Sequence, residues 1–302
     1  MMKKKFVMNE VTKKVVVKEA YEDFIKSRIV RNLSERSIAY YKEHLSYFFD
    51  FALFKYVTDY TRNTIDDYIV NMKEHGLKDT TINIRLRAIK VWFKWIEEVY
   101  DINMPTIKLI KEDKVIKQCY SLEEIEKLLR EPNKAKFDKY RDWVMVQFLL
   151  CTGCRLSSII NVHIEDINFE SRTILFRHSK NRNQYIVPLA KQLDSVLREY
   201  ISVLPSEIIY LFPSQWGTQL SAIGCQQAIR RYCKERGVDN GGIHRFRHTF
   251  ATNYARATHD VFRLQQLLNH SDITVSRKYV HMSSSDLADG FDEVCIMNKV
   301  NL

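Results

Sequence analysis

His244 and Arg247 stand three residues apart in Gly242-Ile243-His244-Arg245-Phe246-Arg247. On a helix that spacing brings two side chains onto one face, so an imidazole and a guanidinium can point at one small anion. A phosphodiester fits, because arginine offers a planar fork to phosphate oxygens. His270 follows in Leu268-Asn269-His270-Ser271, and Tyr279 comes nine residues later in Ser276-Arg277-Lys278-Tyr279-Val280-His281. That polar, basic setting suits a tyrosine near solvent and near an anion. Each residue taken alone has an ordinary alternative. Histidine and arginine on helices are mostly solvated or paired with local carboxylates, and tyrosine mostly fills cores and interfaces.

Several elements must position these groups. Residues 1–17 carry five lysines and one glutamate, either a frayed tail or an arm that tethers phosphate. Residues 18–102 read as helix throughout, with apolar residues at helical spacing in 19–30 and from 34 to about 52. Ser34 is the expected cap of the second helix, Thr64 starts a third that Gly76 ends, and Asp79 caps a fourth. The fourth is rich in Ile82, Leu86, Ile89, Trp92 and Phe93, and also bears Arg85, Lys90 and Lys94. A four-helix bundle with a basic face follows, though such charges are more often solvated than specific contacts. Residues 103–120 contain Pro105, mixed charge and weak periodicity, which reads as an interdomain linker. Ser121-Leu122-Glu123-Glu124 is a capping box that opens a second domain, 121–302.

A long apolar helix is expected over about 137–151, ended by Gly153 in Thr152-Gly153-Cys154-Arg155-Leu156-Ser157. The next helix then starts at Arg155 and places it near a helix N-terminus, where anions are favoured. Two strand-like runs, 173–177 and 185–189, flank a turn that carries Lys180 and Arg182. Helices are expected over about 191–203 and 220–236, the second with Arg230 and Arg231 as a phosphate-binding rim. Residues 284–294 read as a short acidic and apolar helix. The fold class is therefore two domains: an all-α four-helix N-terminal domain, and a mostly α C-terminal domain with a small antiparallel β-sheet (α+β).

Composition narrows the class. Lys and Arg number 47 against 37 Asp and Glu, a formal charge of +10 that favours an anionic polymer as partner. The chain has no run of 18 apolar residues and its basic N-terminus lacks the apolar core of a signal peptide, so no membrane role and a cytoplasmic location are expected. Six cysteines include one CxxC, Cys151 and Cys154, with no second pair at finger spacing. Free buried thiols in a reduced compartment are expected, without zinc.

The matches His244-x-x-Arg247-His248-Thr249-x-Ala251-Thr252, Leu268-Asn269-His270-Ser271, Tyr279 and Thr152-Gly153-x-Arg155-x-Ser157 together resemble the tyrosine recombinases of the lambda-integrase and Xer type. Residues 18–102 resemble their SAM-like core-binding domain in architecture. The resemblance implies a site-specific recombinase that cuts and rejoins DNA through a 3′-phosphotyrosyl intermediate. It works on an inverted-repeat duplex as a homodimer, then as a homotetramer through a Holliday junction. It implies Tyr279 as nucleophile, Arg155 and Arg247 clamping the non-bridging oxygens and His270 donating a hydrogen bond there. His244 would serve as general base and Lys180 as the acid that protonates the leaving 5′-oxygen. Arg182 is the neighbour that competes with Lys180 for the last assignment. No paired carboxylates of two-metal type occur in the set, so no metal, and no other cofactor, is expected. The sequence departs from the pattern twice: Ser158 stands where an acid is usual, and Asn269 where glycine is usual. A type IB topoisomerase of the same chemistry, and a DNA-binding regulator that no longer cuts, are the rival readings.

Overall fold

The computed structural model describes residues 14–113, 118–177 and 184–279. Lys180, Arg182, the basic stretch 1–13 and the expected tail helix 284–294 lie outside the described residues. The chain divides into two compact units, Met1–Val115 and Ile116–Leu302.

The first unit holds four helices, α1 (Val17–Val30), α2 (Glu35–Phe51), α3 (Arg62–Glu74) and α4 (Asp79–Tyr100). Ser34 caps α2 by accepting from the Ser37 amide. The cap of α3 is Thr61 rather than Thr64: the two threonines sit at either end of a reciprocal capping box, so the first helical turn begins earlier than the apolar pattern suggests. Phe24, Leu45, Phe48, Leu86, Ile89 and Trp92 are wholly buried between the helices. Residues 103–113 do not behave as a free linker. Met104 and Ile107 are buried in this unit's core. The buried Asn83 amide brackets Ile110, donating to its carbonyl and accepting from its amide, both at 2.9 Å. An extended apolar segment needs its backbone satisfied, and one buried asparagine supplies both a donor and an acceptor.

The second unit is assembled around α6 (Phe137–Thr152). Trp143, Val144, Met145, Val146, Phe148 and Leu149 on this helix are buried, which is why its apolar run shows no polar face. Around it stand α5 (Leu122–Leu129), α7 (Leu156–Asn161), α8 (Lys191–Ser202), α9 (Ala222–Glu235) and α10 (Ile243–Thr258), followed by α11 (Val261–Leu267) and α12 (Ile273–Arg277). The predicted capping box opens α5, with Ser121 and Glu124 each accepting from the other's amide. A three-stranded antiparallel sheet in the order β1-β2-β3 packs beside the helices. It comprises β1 (Ile167–Asn168), β2 (Thr173–Phe176) and β3 (Tyr185–Pro188), with Phe176 opposite Tyr185. The sequence reading anticipated β2 and β3; β1, only two residues long, carries no pattern of its own.

Candidate active site

The site is built where α6 ends. Gly153 closes α6 in the left-handed conformation, φ 57°. A Cβ there would come within 2.4 Å of the Phe250 ring. Glycine is thus required twice, by backbone sign and by the approach of α10. The turn delivers Arg155 as the N-cap of α7 and leaves the Gly153 carbonyl pointing at Arg247. Gly153→Ala is expected to destabilise the protein by about 2–4 kcal/mol, from left-handed strain plus overpacking. It should also lower activity by moving that carbonyl. Urea unfolding and a cleavage assay check both effects.

Arg247 lies on α10 and is 7% exposed. Its Nη1 donates to the Gly153 carbonyl at 2.8 Å, and its Nη2 donates to the Leu268 carbonyl at 2.7 Å. Nη2 also lies 2.8 Å from His270 Nε2. Arg155 donates from Nη1 to the Asn269 carbonyl at 3.0 Å. Both guanidiniums are therefore held by backbone oxygens, and no carboxylate among the described residues pairs with either. Burial, and then the neighbouring Arg155 charge, pull the Arg247 pKa down to about 10. Burial likewise lowers Arg155. Two cations close together without a counter-charge form a site that an anion completes.

Asn269 explains how the chain does without the usual glycine. It sits at φ 47°, a left-handed position that asparagine tolerates better than most residues. The backbone turn that aims its carbonyl at Arg155 is therefore kept. Ser158, in place of the usual acid, is buried and its hydroxyl lies 3.2 Å from Tyr185 Oη.

His270 is held on both sides. Arginine can only donate, so Nε2 accepts from Arg247, and Nδ1–H donates to Ser276 Oγ at 2.8 Å. The ring's single proton is thereby turned away from Arg247 and toward Ser276, whereas the resemblance implies a donor to phosphate. Burial first, then Arg247 and Arg155, lower its pKa to about 4. A folded value below the ordinary one means that the unfolded chain binds this proton first as pH falls. The fold therefore loses stability between pH 6.5 and about 4, with no contribution above 6.5. Thermal melts from pH 7.5 to 4.5 should fall less steeply for His270→Gln than for wild type.

His244 stands exposed in the first turn of α10, one turn before the buried Arg247. Tyr279 follows α12, with its amide donating to the Ser276 carbonyl at 3.0 Å. It packs against the small cluster of Ala251, Ala255, Leu264 and Leu268, with its ring 5.3 Å from the His248 ring. Burial raises its pKa and the Arg247 charge opposes that rise. The hydroxyl makes no hydrogen bond to Arg155 or Arg247 among the described residues. A cavity of about 710 Å³ opens beside it, lined by Cys119, Glu124, Arg245, Arg256 and Lys278 among others. His248, Ser276 and Tyr185 touch Tyr279, His270 and Ser158 respectively, and sequence reasoning did not single them out. Only their spacing from the matched residues could have flagged them.

The expected DNA-facing cations divide. Lys90 and Arg230 are exposed. Lys94 pairs with Glu98 at 3.7 Å. Arg85 instead lies 3.9 Å over the Tyr47 ring. Arg231 pairs with Asp142 and Asp138, at 3.4 and 3.6 Å, in a network with the buried Arg141. The thiols of Cys151 and Cys154 are pushed up by burial, the latter to about 11, and are free.

A sequence model described as the N-terminal SAM-like domain of phage integrases matches residues 19–98. The chain is 26% identical over 292 residues to a protein named tyrosine recombinase XerD from Staphylococcus saprophyticus subsp. saprophyticus, covering 91% of this chain and 97% of that one. A protein of that name from Staphylococcus aureus is 27% identical with the same coverage. Among solved structures, the Tn1549 transposon integrase in complex with a circular intermediate DNA is similar at a TM-score of 0.76 and 19% identity, covering 92% of this chain and 99% of that one. A lambda integrase in a tetramer bound to a Holliday junction is similar at 0.73 and 15%, covering 89% and 78%. No helix among the described residues is long and apolar enough to cross a membrane. A model described as the phage integrase family matches residues 120–285, more than half of the chain, and the chain belongs to that family.

Proposed function

We propose that the protein is a site-specific DNA recombinase that cuts and rejoins strands through a 3′-phosphotyrosyl intermediate. The observation that carries this reading is a buried Arg247 and a half-buried Arg155, both held by backbone carbonyls with no carboxylate partner among the described residues, with Tyr279 near Arg247. Tyr279 Oη attacks the scissile phosphorus, the P–O5′ bond breaks, and the 3′ end is held as a tyrosyl ester. Arg155 and Arg247 stabilise the charge that builds on the non-bridging oxygens, the largest single contribution in such sites. His270 orients Arg247 through its Nε2, and Ser276 fixes the tautomer. His244 takes the tyrosine proton, and Lys180 delivers one to the departing oxygen. Because arginines carry the charge stabilisation, the step runs without a divalent metal. The ester conserves the energy of the broken bond, so no nucleotide is consumed. Reversal by a 5′-hydroxyl from another duplex exchanges strands.

The proposed partner is duplex DNA with an inverted-repeat core site, bound by a dimer and synapsed as a tetramer in the cytoplasm. The similarity to proteins named recombinases and integrases supports this. Lys90 and Arg230 are the proposed phosphate contacts. The test is covalent trapping on a nicked duplex in the presence of EDTA. A protein–DNA adduct at the 3′ end of the cut strand supports the reading, and its absence from protein that still shifts the duplex favours a non-cutting regulator. Strand exchange between two labelled duplexes, rather than relaxation of a supercoiled plasmid, separates a recombinase from a topoisomerase.

A further inference from the structure

Near the two arginines stands a second phenol, Tyr185, with no role in the chemistry above. Tyr185 opens β3, and its ring stacks on Phe176, centroids 4.9 Å apart with the planes tilted by 27°. Phe176 is itself buried and packs edge-on against Phe148 of α6, so the phenol is mounted on the core rather than on a loop. Its hydroxyl lies 3.2 Å from Ser158 Oγ, and Ser158 is 2% exposed. Ser158 belongs to the first turn of α7, where its amide donates to the Arg155 carbonyl at 2.9 Å. The chain of contacts thus runs from the core through Tyr185 and Ser158 to the backbone of Arg155. Arg155's own side chain has one described anchor, the Asn269 carbonyl.

A short helix of six residues does not hold its N-cap rigidly on its own. We infer that Tyr185, acting through Ser158, is a positioning residue that fixes the first turn of α7 and so aims Arg155 at the scissile phosphate. Both arginine charges reach the phenol oxygen and lower its pKa, while burial, the larger effect, holds it at about 12. The hydroxyl therefore stays neutral at working pH. A neutral brace leaves the full cationic charge of the clamp for phosphate, where a carboxylate would offset part of it.

This inference rests on the recombinase reading. Its test is single-turnover cleavage of nicked duplexes that carry either an ordinary phosphodiester or a methylphosphonate at the scissile position. The methylphosphonate lacks one charged non-bridging oxygen, so the clamp contributes less to its cleavage. Tyr185→Phe keeps the stack and removes the hydroxyl; Ser158→Ala removes the same bond from the other side. Each is expected to slow phosphodiester cleavage about tenfold, the order of one positioning hydrogen bond. The penalty should shrink to within about twofold on the methylphosphonate, and the double variant should be no slower than either single one. An equal penalty on both substrates, additive single effects, or a rate within twofold of wild type on the phosphodiester would overturn the role. A wild-type protein that forms no adduct fails the recombinase reading itself; a wild-type adduct with an unaffected Tyr185→Phe fails the positioning role alone.

Discussion

Arg247→Ala should reduce strand cleavage by at least about a thousandfold, the order seen when a preorganised stabiliser of developing charge is removed. Its effect on stability should be modest for so buried a side chain. Two contributions oppose each other. The Gly153 and Leu268 carbonyls lose their donor, at about 1–3 kcal/mol each where buried. Against this, a desolvated charge beside Arg155 is relieved. A pKa lowered from 12.5 to about 10 corresponds to roughly 3 kcal/mol at 1.36 kcal/mol per pKa unit. The two largely offset, leaving about −1 to +3 kcal/mol, so the melting temperature should move by no more than about 12 °C, at 2–4 °C per kcal/mol for a domain of this size. Such a pattern is what a site selected for chemistry rather than stability produces. Melting and cleavage measured on the same preparation check it. A collapse of the fold in Arg247→Ala would show that the arginine is a structural strut.

Tyr279→Phe should abolish adduct formation and leave DNA binding unchanged. The ring, which carries the packing against His248 and the cluster of Ala251, Ala255, Leu264 and Leu268, is retained, so the melting temperature should shift by no more than about 1–2 °C. The wild-type enzyme carries a further signature. Burial raises the phenol's pKa, so at neutral pH it is protonated and must lose that proton as it attacks. Cleavage should accelerate as pH rises from 7 toward 9, and His270, neutral throughout that range, should add no step of its own. A flat profile over that range with a chemical step limiting would place the proton transfer elsewhere.

Much of this site was legible in the sequence because family chemistry fixes residue types at fixed spacings. Arg155, His244, Arg247, His270 and Tyr279 could each be named from short motifs. The four helices of the first unit were legible from apolar periodicity, since each buries one face. The segment 103–113 was not, because its apolar residues Met104, Ile107 and Ile110 are spread along extended chain, and the asparagine that receives them lies on α4. The fate of Arg231 was equally hidden. Its partner Asp142 sits on α6, 89 residues away, so it reads as a free surface cation until the fold is known.

Residue types and spacing alone fixed which functional groups the site was expected to contain and the helix break at Gly153 that presents Arg155. Both follow from local rules: residue type, spacing and the left-handed positions that few residues accept. The tertiary structure alone decided the electrical state of those groups. Arg247 is a constrained cation because α6 brings it a carbonyl from 94 residues away. His270 is neutral because burial, and then the charges of Arg247 and Arg155, hold its pKa down at about 4. Ser158 works with a tyrosine from β3 because the sheet packs beside α7. Hydrogen bonding and burial act over a few ångströms in space, between residues that chain order keeps far apart, and no local pattern encodes them.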